Sequence, residues 1–128
     1  MSLETPCWPT FLGPEGRAAC LAAARSATYA DAVYLIRYFN VDANRWGPPP
    51  HEAPIEAVEV FGVKDDPSYP AMLARVKRLE QCALLMFDGD YSRAPTLDEA
   101  VAQLQGAVPG FDPRTYGRAI ASAMRDMR

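Results

Sequence analysis

From Pro70 to Phe87 the residues Met72, Val76, Leu79, Ala83 and Met86 recur every three or four positions, while Arg75, Arg78 and Gln81 fall on the other side. Only an α-helix gathers such a series onto one face, because a strand would need alternation by twos. A helix this long must bury its stripe against other elements, so the rest of the chain has to supply matching apolar faces.

It does so in the same period. Pro14 to Ala27 is rich in alanine, the strongest helix former, and Ala19, Cys20, Ala23 and Ala27 predict a small face suited to close helix approach. Thr28 and Asp31 cap a second helix from about Tyr29 to Asn40, whose face is Ala32, Val33, Leu35, Ile36 and Phe39. Gly47 and Pro48-Pro49-Pro50 make residues 41–53 a rigid, exposed loop. Residues 55–63 fit a short helix better than a strand, because a helix groups Glu56 with Glu59, and Pro54 and Gly62 suit its two ends. Asp65-Asp66-Pro67-Ser68 reads as a turn. Thr96-Leu97-Asp98-Glu99 is a capping box opening a helix that ends near Gly106. Asp112-Pro113 opens the last helix, expected to bury Tyr116, Ala119, Ile120, Ala123, Met124 and Met127. The pattern predicts an all-α fold, a compact irregular bundle of about six helices. Residues 1–128 form a single helical domain, with 1–13 an extended arm laying Trp8 and Phe11 over the core.

Composition narrows the function classes. A chain of 128 residues, 49% hydrophobic and 23% charged, is long enough to bury a core without staples. A formal net charge of −3 gives no electrostatic footprint for nucleic acid or an anionic membrane, so neither partner is expected. The opening Met-Ser-Leu-Glu-Thr-Pro has no basic or apolar leader, and apolar runs such as Leu84 to Phe87 are too short to span a bilayer. Cys7, Cys20 and Cys82 are odd in number and lack CxxC spacing, which predicts reduced thiols and a cytoplasmic setting. Lys64 and Lys77 are the only lysines beside abundant arginine and alanine, a codon bias that points to a GC-rich bacterium.

Two stretches resemble each other: Phe39-Asn40-Val-Asp42-Ala-Asn44-Arg45 and Phe87-Asp88-Gly-Asp90-Tyr-Ser92-Arg93, followed by Glu52-Ala53 and Glu99-Ala100. They read as a duplicated helix–loop–helix unit or as two ordinary Asx-rich helix exits. In the second, Asp88, Asp90, Ser92, Thr96 and Glu99 occupy positions 1, 3, 5, 9 and 12 of a loop similar to an EF-hand. That resemblance implies calcium as ligand. It departs from the pattern at Arg93, where glycine makes the sharp turn, and at Pro95, which has no N–H to give a partner loop. The capping box explains Thr96 and Glu99 without a metal, and no cofactor is expected.

Other candidate chemistry is thin. His51, the only histidine, follows three prolines with no nucleophile motif beside it, although Cys7 is the best thiol candidate. Cys20 and Cys82 lie within helices as small buried hydrophobes, and Glu80 sits at the edge of the apolar stripe. Tyr34 and Tyr38 share the side of their helix away from the predicted core, with Arg37 nearby and Trp46 in the proline loop. Tyr, Trp and Arg are the types enriched at binding hot spots, so the group reads either as a partner surface or as a face covered by another helix or the N-terminal arm. The sequence therefore points to a small non-enzymatic bacterial protein-binding domain of adaptor, inhibitor or immunity type, with another protein as partner. The alternative is a metal- or small-ligand-binding domain using the acidic loop 88–99.

Overall fold

A computed structural model describes residues 7–13, 15–43, 52–87 and 95–126. Among them the fold is all-α: six helices, α1 (Gly16–Ser26), α2 (Tyr29–Tyr38), α3 (Ala57–Phe61), α4 (Tyr69–Met86), α5 (Leu97–Ala107) and α6 (Pro113–Asp126), and no strand. The contacts gather into two units, one of Met1–Pro9 with Ala74–Arg128 and the other of Thr10–Leu73.

In the Thr10–Leu73 unit, α1 and α2 pack against each other through small residues. Gly16, Cys20 and Ala24, spaced by four, are the buried positions of α1. Ala19 is exposed and Ala23 and Ala27 half-buried, so the close face lies about one residue away from the one expected. Cys20 Sγ–H points at the Leu35 carbonyl at 3.5 Å. Thr28 caps α2, accepting from the Asp31 amide and donating to the Asp31 carboxylate. The helix is buried almost all round, from Ala30 to Ile36 and again at Tyr38. It does not stop at Asn40. With no glycine or proline until Gly47, it widens into a π-helical turn over Phe39–Ala43 and buries Ala43.

The segment before α3 is tied to that turn by one side chain. Asn40 donates from Nδ2 to the Ile55 carbonyl at 2.8 Å, and its Oδ1 accepts the Ile55 amide at 2.7 Å. α3 begins two residues after Pro54 has passed, with Glu56 as its N-cap and Glu59 closing a capping box. Gly62 ends it in the left-handed conformation, φ 69°, which glycine adopts without strain. Arg17 reaches from α1 to the Ala53 carbonyl at 2.8 Å, the Pro54 carbonyl at 3.0 Å and both Glu59 carboxylate oxygens at 2.7 and 2.9 Å.

In the other unit, Val76, Leu79 and Ala83 are the buried core of the α4 stripe and Met86 at its end is half-buried; Met72, also half-buried, belongs to the Thr10–Leu73 unit. α5 buries Ala100 and Leu104. α6 buries Tyr116, Ala119, Ile120 and Ala123, but Met124 is 48% exposed, contrary to the expected stripe. At 100° per residue it falls one step past the buried face. Met127 lies outside the described residues. The Tyr116 hydroxyl donates to the Val108 carbonyl at 2.7 Å and accepts the Phe111 amide at 3.3 Å, which folds the α5–α6 connection around one ring.

The arm does place aromatic side chains inward. Trp8 and Phe11 are both buried. The Trp8 indole N–H donates to the Thr115 hydroxyl at 2.8 Å. Its carbonyl accepts from Arg118 Nη2 at 2.6 Å, and the Arg114 guanidinium lies 3.8 Å over the ring.

Candidate functional site

Of the two readings of the Tyr34–Tyr38 pair, exposed partner surface or covered face, the structure has the covered one. Tyr34 and Tyr38 are 2% and 3% exposed, with rings 6.1 Å apart and nearly parallel. Tyr38 donates to the Thr10 carbonyl at 3.4 Å. The physical reason is that α2 is an inner helix with two buried faces, so its far side cannot be read as surface from periodicity alone. Arg37 is half-buried and engaged, and Trp46 lies outside the described residues. As an exposed hot spot, the Tyr34–Tyr38 pair is therefore withdrawn.

The loop similar to an EF-hand falls mostly outside the described residues, including Asp88, Asp90 and Ser92, as does His51. Its last two positions serve the helix. Thr96 Oγ1 accepts the Glu99 amide at 3.2 Å and donates to the Glu99 carboxylate at 2.9 Å. The forward half of the capping box is thus formed, while the Glu99 side chain meets the threonine hydroxyl. Among the described residues no group of three His, Cys, Asp or Glu side chains could hold a metal. Glu80 is half-buried and has a partner. Cys20 is fully buried, which pushes its thiol up to about 12 and leaves it inert as a nucleophile. Cys82 is half-buried and Cys7 exposed; all three are free.

A concave feature of the Thr10–Leu73 unit is a hollow of about 300 Å³ between α3 and the start of α4. Its walls are Glu56, Ala57 and Val58 on one side, Tyr69 and Pro70 on the other, and the Val63–Asp66 turn between them. Val58 and Val63 are 41% and 55% exposed. The turn is held in shape by Asp66. Its Oδ1 accepts the Ser68 amide at 2.9 Å, an Asx turn that leads into α4, and its Oδ2 accepts the Tyr29 hydroxyl at 2.6 Å. The Tyr29 hydrogen bond, with the Ser68 amide, holds the Asp66 carboxyl below its ordinary value, while burial and the carboxylate raise Tyr29 to about 12. Asp65 sits in the left-handed region at φ 62°, a conformation that Asp tolerates better than most residues. Lys64 and Asp65 are exposed at the rim.

Sequence reading found the turn at 65–68 but not the hollow. The available signal was Val58 within, and Val63 just beyond, a helix too short to have two buried faces. What made the site, the approach of α3 to the start of α4, is tertiary.

No helix among the described residues is long and apolar enough to cross a membrane. Compared with known proteins, the chain matches no family model, no curated protein and no solved structure.

Proposed function

We propose that this chain is a non-enzymatic protein-binding module, of adaptor, inhibitor or immunity type, that uses the hollow between α3 and α4 to receive an apolar side chain of its partner. The observation that carries the reading is the pair of half-exposed valines, Val58 and Val63, in a recess rimmed by Glu56, Lys64 and Asp65. An apolar centre with a charged rim is the anatomy of a protein-binding patch. Small-molecule pockets enclose most of their ligand, and roughly 300 Å³ is the bottom of their size range. An open recess of about 300 Å³ suits one or two side chains of a protein segment better. The rim carries both signs, so the matching segment has an aliphatic or aromatic residue flanked by charges of both signs.

The engagement of the carboxylates in local hydrogen bonds supports a binding role over catalysis. Glu59, Asp66 and Asp112 are each engaged by Arg17, Tyr29 and Arg114 respectively in holding helices and turns. Three free thiols, one of them exposed, support a reducing, cytoplasmic setting. The arginine-over-lysine bias supports a bacterial source.

The test is a comparison of Val63→Glu with the wild type. A protein retained by the wild-type chain from a bacterial lysate is identified and its affinity measured with purified components. Val63→Glu should weaken that affinity at least tenfold and leave the unfolding midpoint nearly unchanged, because Val63 is already largely in water. Equal affinity for Val63→Glu and for Val58→Glu would place the partner elsewhere and end this assignment.

A further inference from the structure

The segment that forms one wall of the hollow is attached in an unusual way. α3 has no buried residue of its own, and Ile55 is the single fully buried side chain between residues 52 and 62. Phe61 is half-buried, its ring 5.0 Å from that of Tyr29. The hydrogen bonds that hold the segment are exposed or only part-buried. Arg17 takes two carbonyls and the Glu59 carboxylate. Arg25 donates from Nε and Nη2 to the Glu59 carbonyl at 3.1 and 2.9 Å. Asn40 pairs with both backbone groups of Ile55. At its far end Gly62 has a positive φ and open space where a side chain would be, so the backbone can turn there without collision.

Regions with few buried apolar contacts and many solvent-reachable hydrogen bonds open at lower free energy than the global transition. α1 and α2, by contrast, hold their own buried seam of Gly16, Cys20, Ala24, Leu35 and Ile36. We infer that residues 53–62 form a flap that comes away about Gly62 and unravels as one unit, its five-residue helix being too short to persist alone, while α1 and α2 stay folded, and that the Arg17–Glu59–Arg25 cluster is its latch. The inference does not depend on what occupies the hollow. It makes Glu59 a positioning residue. One carboxylate oxygen serves both Arg17 and the Glu56 amide, at 2.7 and 2.8 Å, so losing its charge loosens the helix cap and the tether together.

When the flap opens, the hollow loses Glu56, Ala57 and Val58, its whole α3 wall. A ligand of the hollow would hold the flap shut, and a change that breaks the latch would dismantle the hollow without unfolding the domain.

Hydrogen exchange followed residue by residue tests this on the whole chain. In the wild type, the amides of Ile55, Glu56, Glu59 and Gly62, each hydrogen-bonded in the closed form, should exchange at least tenfold faster than those of Leu35 and Ile36 in α2. Arg17→Gln should speed exchange at those four amides by roughly fivefold to tenfold more, with α2 and α6 unchanged. Glu59→Gln, which keeps size and can still accept a hydrogen bond, should do the same to a smaller degree. Exchange of 55–62 at the α2 rate in the wild type would overturn the flap. Uniform acceleration of all helices in both variants, or none at 55–62, would overturn the latch.

Discussion

Gly16 has no room for a side chain. A methyl group built on it would fall on the carbonyl of Phe11, and Phe11 is itself in the left-handed region at φ 56°. The obstacle is backbone rather than the end of a flexible side chain, so it cannot step aside cheaply. Gly16→Ala should therefore lower stability by about 2–3 kcal/mol despite alanine's better helix propensity, as measured by urea unfolding. A variant equal to or more stable than wild type would show that Phe11 does not cross there. The sequence starts the helix at Pro14, two residues before this glycine, and Gly13-Pro14-Glu15 carries no trace of the chain that crosses above it. The same limit explains Tyr34 and Tyr38. Their spacing is what put them on one side of α2, and it does so correctly; whether that side meets water depends on the segment at Thr10.

At the scale of elements, the local rules decided most of what was legible. The short helix over Ala57–Phe61 ends at Gly62 as expected, and its two glutamates act together in the capping box. Thr96 caps α5 as its position before Leu97-Asp98-Glu99 requires. Thr96→Ala should cost about 1 kcal/mol through loss of the cap, read from the thermal midpoint. An unchanged midpoint would mean that the Asp98 and Glu99 charges alone hold the first turn. What the local rules could not supply was the π turn after Tyr38. Phe39 to Ala43 contains ordinary helix formers, and the widening is coupled to Asn40 reaching Ile55, fifteen residues on. The candidate site was the least legible part, since its walls belong to α3, a turn and α4, each legible alone, while their approach to one another is tertiary.

For the whole molecule, the ionisable groups set the pH range of stability. Glu59, Asp66 and Asp112 have folded values below their ordinary ones of 4.5, 3.8 and 3.8, through hydrogen bonds to backbone amides, Arg17, Tyr29 and Arg114. Their stabilisation is complete above the unfolded values and is lost as pH falls through the folded ones. Cys20 and Tyr29 are shifted the other way, from 9.0 and 10.0 to about 12. Their contribution is complete below the unfolded values and is lost as pH rises toward 12. The urea midpoint should be flat between about pH 5 and about pH 9 and fall on both sides. A midpoint that stays flat above about pH 10 would show that Cys20 and Tyr29 are solvated. The placement of Trp8 has a further consequence, for synthesis. Its indole partner is Thr115 and its carbonyl partner Arg118, which lie 107 and 110 residues later. The Thr10–Leu73 unit is continuous in the chain and can gather as it leaves the ribosome. Trp8 has to wait, its ring exposed, until the last helix emerges. Trp8 is thus housed only after Thr115 and Arg118 have been made, and a nascent chain that stalls before α6 carries a bare tryptophan as its mark of incompleteness.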